Sequence, residues 1–160
     1  MRLFVLFFIL ICLYAACKNA TETTIANISQ DTYAFDSVTA KKWGADEYGM
    51  KLYVLVFLKR GPYRSSDSTT RANLQAAHMT NINRLAEEGK LVLAGPMNSD
   101  EEIRGIYIFD VATIEEARAL TATDPAIQAG SLIMEMHPWY GSASLKEIPS
   151  LHKKGAKINF

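Results

Sequence analysis

The run KLYVLVFLKR, Lys51 to Arg60, carries apolar side chains on both of its alternating faces. Tyr53, Leu55 and Phe57 lie on one face, and Leu52, Val54, Val56 and Leu58 on the other. A segment of that kind is a strand buried on both sides. The fold must therefore place a layer above and below it. The residues after Arg60 supply candidates in order. GPYRSSDSTTR is a loop by composition. A helix is predicted from about Thr70 to Glu88, with Gly89 at the C′ position. KLVLAGP reads as a short second strand, MNSDEEIR as a turn and GIYIFDV as a third strand. Thr113 and Glu116 have capping-box spacing and open a second helix through about Ala122. Asp124-Pro125 places a cap residue before a proline suited to the first helical position, Gly130 closes that turn, and SLIMEM is the fourth strand.

The order βαββαβ over residues 51–141 predicts an α+β domain of ferredoxin-like form. Its four-stranded antiparallel sheet has both crossover helices on one face. The other face is also apolar, and no further helix is predicted to cover it. An exposed apolar patch on the order of several hundred Å2 is unusual for a soluble monomer. A homodimer through the sheet face is therefore expected, and residues 142–160 read as a C-terminal tail.

The first predicted helix carries an anomaly. At ~100° per residue, Leu74, Ala77, His78, Asn81, Ile82 and Leu85 share one arc, which must face the sheet. His78 lies near its centre. A buried ring nitrogen without a partner costs ~1–3 kcal/mol, so a partner or a hydrated pocket is expected. Satisfaction by a backbone carbonyl is the plainer alternative. Two residues point to a site: Asn81 extends the polar breach, and Asp124 stands beyond the second crossover helix on the same side of the sheet. A cap and an orienting carboxylate are compatible roles for Asp124.

The N-terminus reads differently. Arg2 precedes an uncharged apolar run from Leu3 to Ala16, short of the ~20 residues that span a bilayer. This is the pattern of a secretory signal, residues 1–16. Ala15-Ala16-Cys17 then resembles a bacterial lipoprotein lipobox, with Tyr14 where leucine is usual. The resemblance implies lipidation of Cys17 and a location in the cell envelope, on a membrane facing the periplasm or on the outer membrane, or secretion if Cys17 is not lipidated. Cys12 would leave with the signal, so no disulfide could form within the mature chain. Residues 18–32 are polar, as in a tether. The segment to Met50 carries Tyr33, Phe35, Trp43 and Tyr48, too many aromatics for a linker. A short helix capped by Asp36 and stopped at Gly44 is expected there, with Trp43 packing.

AAHMTNINRLAEEGKLVLAGP, GIYIFDVATIEEARAL and TDPAIQAG together resemble the YCII-related family of dimeric α/β-barrel proteins, over about Leu52 to Trp139. The resemblance implies a catalytic pair of a helix histidine and the aspartate of Asp-Pro, here His78 and Asp124. It also places Gly95-Pro96 near the mouth of a cavity. Known activity in the family includes removal of chloride from a chlorinated hydroxyhydroquinone. The implied function is a small-molecule enzyme using acid–base chemistry (elimination, isomerisation or hydrolysis) without a cofactor. The alternative is an envelope module that binds a small ligand without turning it over.

Candidate ligand-binding positions are Asn81, Gly95, Pro96 and Trp139, the last from HPWYG, where Trp139 and Tyr140 either line a pocket or pack. Arg104 reads either as a contact for an anionic substrate or as a solvated side chain. His78, His137 and His152 lack metal-ligand spacing, so no metal is expected. No phosphate-cradling loop, dinucleotide fingerprint or nucleophile elbow is present. With 17 basic and 17 acidic residues and no long run of either sign, nothing points to nucleic acid.

Overall fold

The doubly apolar stretch occupies the interior of a four-stranded sheet. In the computed structural model, which describes residues 34–158, the strands are β1 (Met50–Arg60), β2 (Leu91–Pro96), β3 (Ile103–Phe109) and β4 (Leu132–Ser142). The spatial order is β2-β3-β1-β4 with all neighbours antiparallel. This is the ferredoxin-like α+β arrangement that the element order predicts. The expected signal, Cys17 and the expected tether (residues 18–32) all fall outside the described residues. From Val38 onward the chain forms one compact unit.

The helices are α1 (Ser37–Trp43), α2 (Ser68–Glu87), α3 (Ile114–Thr121), α4 (Pro125–Gln128) and α5 (Ile148–Gly155), the last preceded by a 3-10 turn over Ala143–Glu147. The α2 helix begins two residues earlier than its composition suggests. Asp67 caps it, its side chain accepting from the Thr70 N–H at 2.6 Å. It ends where expected, with Gly89 in the left-handed region at φ 68°. The Thr113–Glu116 capping box forms at the start of α3.

Two apolar layers flank the sheet. On the helix side Val54, Val56 and Leu58 of β1 meet Tyr107 and Phe109 of β3, Leu85 of α2 and Ala117 of α3. On the far side Tyr53, Val92 and Ile108 form a second cluster, with Leu55, Leu93, Trp139 and Leu145 packed against it. Strand β4 extends six residues beyond the stretch SLIMEM and pairs with the whole of β1, from Met50 opposite Ser142 to Arg60 opposite Leu132.

The stretch from Ser142 differs most from the tail expected of it. After β4 it turns through the 3-10 segment into α5, burying Ala143 completely and laying Leu145 on the far-side cluster. Part of the far face is thereby covered within the chain. Two ionic clamps hold this segment. The Trp43 indole and the Lys42 ammonium both donate to Glu147 Oε1, at 2.8 and 2.6 Å. Asp110, just after β3, accepts from Lys51 and from Lys146, the latter at 3.0 Å.

Burial alone would raise the Asp110 carboxyl, but the two lysines outweigh it and hold the group below the ordinary carboxylate range. A depressed folded value means stabilisation present above ~3.9, the unfolded value, and lost as pH falls through the folded value. Asp110→Asn should therefore destabilise the protein near neutrality, and the difference from wild type should vanish in acid. Urea midpoints across pH 7 to 2.5 check this; a pH-independent difference would contradict it.

Candidate functional site

Two capping habits of the chain converge on one point. Asp124 is the N-cap of α4, and its Oδ1 accepts from the Ala126 N–H at 2.8 Å. Pro125 at the first helical position has no N–H to satisfy. The cap leaves Oδ2 free, and Oδ2 lies 2.6 Å from His78 Nδ1. Both side chains are enclosed: His78 is 8% exposed and Asp124 1%. A carboxylate only accepts, so Nδ1 carries the proton of the neutral ring and Nε2 keeps a lone pair.

The second ring nitrogen faces a tyrosine. Tyr107 of β3 places its hydroxyl 3.3 Å from Nε2, and the two rings lie at 24° with centroids 6.4 Å apart. Burial first, and the Asp124 charge second, push the Tyr107 phenol well above its ordinary range. The hydroxyl therefore stays protonated throughout the physiological range. Tyr107 was not among the sequence-derived candidates. Its signal is alternation in GIYIFDV, which puts Gly105, Tyr107 and Phe109 on one face of β3, but pattern alone cannot say that this face meets His78.

Asn81 shares the buried face of α2 with His78, as the helical spacing requires. Its Oδ1 accepts from Arg84 at 2.9 Å and lies 2.9 Å from the Thr123 hydroxyl. Asn81 and His78 thus reach two consecutive residues, Thr123 and Asp124, and fasten α2 to the α3–α4 connection.

Among the described residues, no hydrogen bond or ring contact joins the remaining candidates to His78. Trp139 pairs with Tyr53 in register, its ring tilted at 35° with centroids 5.9 Å apart, on the far face of the sheet. Gly95 and Pro96 end β2 opposite Ile106 and Gly105. Gly105 is required there, since a Cβ would sit 2.7 Å from the Gly95 carbonyl oxygen. Pro96 is exposed on the helix-side register, two pairs along from Tyr107. Arg104 donates to the Ser99 carbonyl and Asp100 within the β2–β3 turn. His137 meets Glu135 at 2.9 Å and the edge of Phe57. Among the described residues no three histidine, cysteine or carboxylate side chains gather as a metal site, and no described helix is long and apolar enough to cross a membrane.

Comparison with known proteins places these residues in context. The sequence pattern of the YCII-related domain matches residues 53–140, over half of the chain. No curated protein matches it. Among solved structures, one that is similar is the 5-chloro-2-hydroxyhydroquinone dehydrochlorinase of Burkholderia phenoliruptrix AC1100 in complex with 2,5-dihydroxybenzoquinone. Identity is 18%, the TM-score is 0.40, and the match covers 56% of this chain and 93% of that chain.

Proposed function

We propose a function from two premises: the chain belongs to the YCII-related domain family, and the matched segment holds His78 and Asp124 in direct contact. The protein is a small-molecule enzyme that moves protons with this pair and needs no cofactor for that step. The observation that carries the reading is the 2.6 Å contact at Nδ1, which leaves Nε2 as the basic atom of the ring. Asp124 fixes the tautomer and would stabilise the imidazolium that forms when Nε2 takes a proton. An elimination, an isomerisation or a hydrolysis can each use such a transfer; the same atom then gives the proton to the product, to the leaving group or to water.

The chemistry suits an enclosed site. A histidine buried only for packing would be equally served by a backbone carbonyl; a carboxylate instead favours the charged ring, the state that general base catalysis passes through. His78→Gln keeps a polar side chain but removes the base. In a turnover screen of small hydroxyl- and carbonyl-bearing compounds with the full-length protein, the variant should lose roughly a hundred- to ten-thousand-fold in rate. Equal turnover by wild type and variant would end the acid–base reading. Binding without turnover would replace it with a ligand-capturing module.

Two wider proposals accompany the site. The far face of the sheet keeps Leu55, Phe57, Leu93, Ile106 and Trp139 only partly buried and Ile133 half exposed, which supports a homodimer through that face. Phe57→Asp should convert a sedimenting dimer to monomer, and an unchanged mass would count against it. The lipobox-like sequence at Cys17 supports a lipid-anchored protein of the cell envelope. Cys17→Ser should then release the chain from membranes, and retention would refute the anchor.

A further inference from the structure

The hydrogen bonds at the site form a chain with a direction. Asp124 Oδ1 is filled by the Ala126 N–H, and Oδ2 by His78 Nδ1. With the proton on Nδ1, the single lone pair of Nε2 is met by the Tyr107 hydroxyl at 3.3 Å. A hydroxyl has one proton and two acceptor lone pairs. The proton of Tyr107 is spent on Nε2, and its oxygen has no other hydrogen-bond partner among the described residues. Followed from the carboxylate along the chain, every acceptor is occupied until the oxygen of Tyr107, a side chain 3% exposed.

We propose that Tyr107 is the third member of the site and that its phenolic oxygen, rather than Nε2 itself, is the atom that meets the substrate's proton. This rests on the acid–base reading of His78 and Asp124 and extends it by one bond. The step balances without any further reactant. The substrate's O–H or C–H bond breaks and its proton bonds to Tyr107 Oη, while the Tyr107 O–H bond breaks and that proton bonds to His78 Nε2. The electron pair of the broken bond stays on the substrate, where it forms a double bond or expels a leaving group. The ring becomes an imidazolium with its Nδ1–H still held by Asp124, and reversal of both transfers returns the proton to the product of an isomerisation, or gives it to the departing group or to water after an elimination.

Three structural facts favour the relay over direct contact with the ring. Nε2 would have to lose the Tyr107 bond before accepting a substrate proton, leaving a buried hydroxyl without an acceptor. Tyr107 sits on β3, a strand paired on both sides, so its ring is held by the sheet and not by a loop. The residue paired with it across β2 is Ala94, small and exposed, so the strand next to Tyr107 raises no bulky side chain at that position. The other neighbours of the hydroxyl's ring, Phe109 edge-on at 5.6 Å between centroids and the buried Val56 opposite, are apolar and offer no competing hydrogen-bond group.

The experiment compares full-length wild type, Tyr107→Phe and His78→Gln by two readouts. In nitrogen-15 spectra of histidine-labelled protein at neutral pH, wild-type Nδ1 should carry the proton and Nε2 should appear as a hydrogen-bonded lone-pair nitrogen. Tyr107→Phe should move the Nε2 resonance toward that of an unbonded nitrogen and leave Nδ1 protonated. A change of packing alone would leave Nε2 where it was, and that result, or a proton found on Nε2 in the neutral ring, overturns the proposal. For a compound turned over by wild type, Tyr107→Phe should lose at least a hundredfold, within about tenfold of the loss in His78→Gln. Full activity in Tyr107→Phe beside an inactive His78→Gln would overturn the relay and leave the His78–Asp124 pair standing. Full activity in both would overturn the acid–base reading as well.

Discussion

One contact organises this domain: an imidazole turned inward from the long helix, met by a carboxylate that already caps another helix. A polar ring nitrogen buried alone costs ~1–3 kcal/mol, so α2 could not pack against the sheet with His78 inward unless something answered Nδ1. Asp124 does so with the oxygen its cap leaves over. The neighbouring bond between Asn81 and Thr123 adds a second point one helical turn away. Together they set the height of α2 over the sheet, and that height brings Nε2 to the Tyr107 hydroxyl. Packing and site are therefore the same structure seen from two sides.

The rest of the domain shows a different use of charge. Glu147 collects Lys42, Trp43 and Ser150, which together draw its carboxyl down to about 2. Asp110 collects Lys51 and Lys146, and Lys51 also stands over the Tyr53 ring, 5.3 Å from its centroid. Burial, with Asp110 adding to it, pushes the Tyr53 phenol up to about 12. These groups lie away from the histidine and join the first helix and the C-terminal segment to the sheet. They account for why Ala143 and Leu145 can lie on the far face, leaving its remainder to the aliphatic and aromatic side chains that the dimer proposal uses.

Much of this was legible in the residues. A continuous apolar run locates β1 because its neighbours bury both faces, and the spacing of Leu74 to Leu85 places His78 and Asn81 inward because a helix repeats at ~100° per residue. Caps were readable at Thr113, Asp124 and Gly89, where the chemistry of one side chain or one φ angle decides the boundary. What escaped was set by partners distant in sequence. Tyr107 meets His78 through strand register, Asn81 acquires Arg84 and Thr123 as partners, and Trp139 lies on the face away from His78 because its register partner is Tyr53. The segment after Ser142 is polar enough to read as a tail; its order depends on Glu147 and Lys146 finding partners about a hundred and about forty residues away.

The central claim is that His78 and Asp124 act as one unit in proton transfer. A double-mutant cycle in turnover, combining His78→Gln with Asp124→Asn, addresses it most directly. The account predicts that Asp124→Asn slows wild type by tenfold or more yet changes nothing once His78 is Gln. Losses that multiply independently would mean that the ring and the carboxylate contribute separately, and that Asp124 does not act through His78.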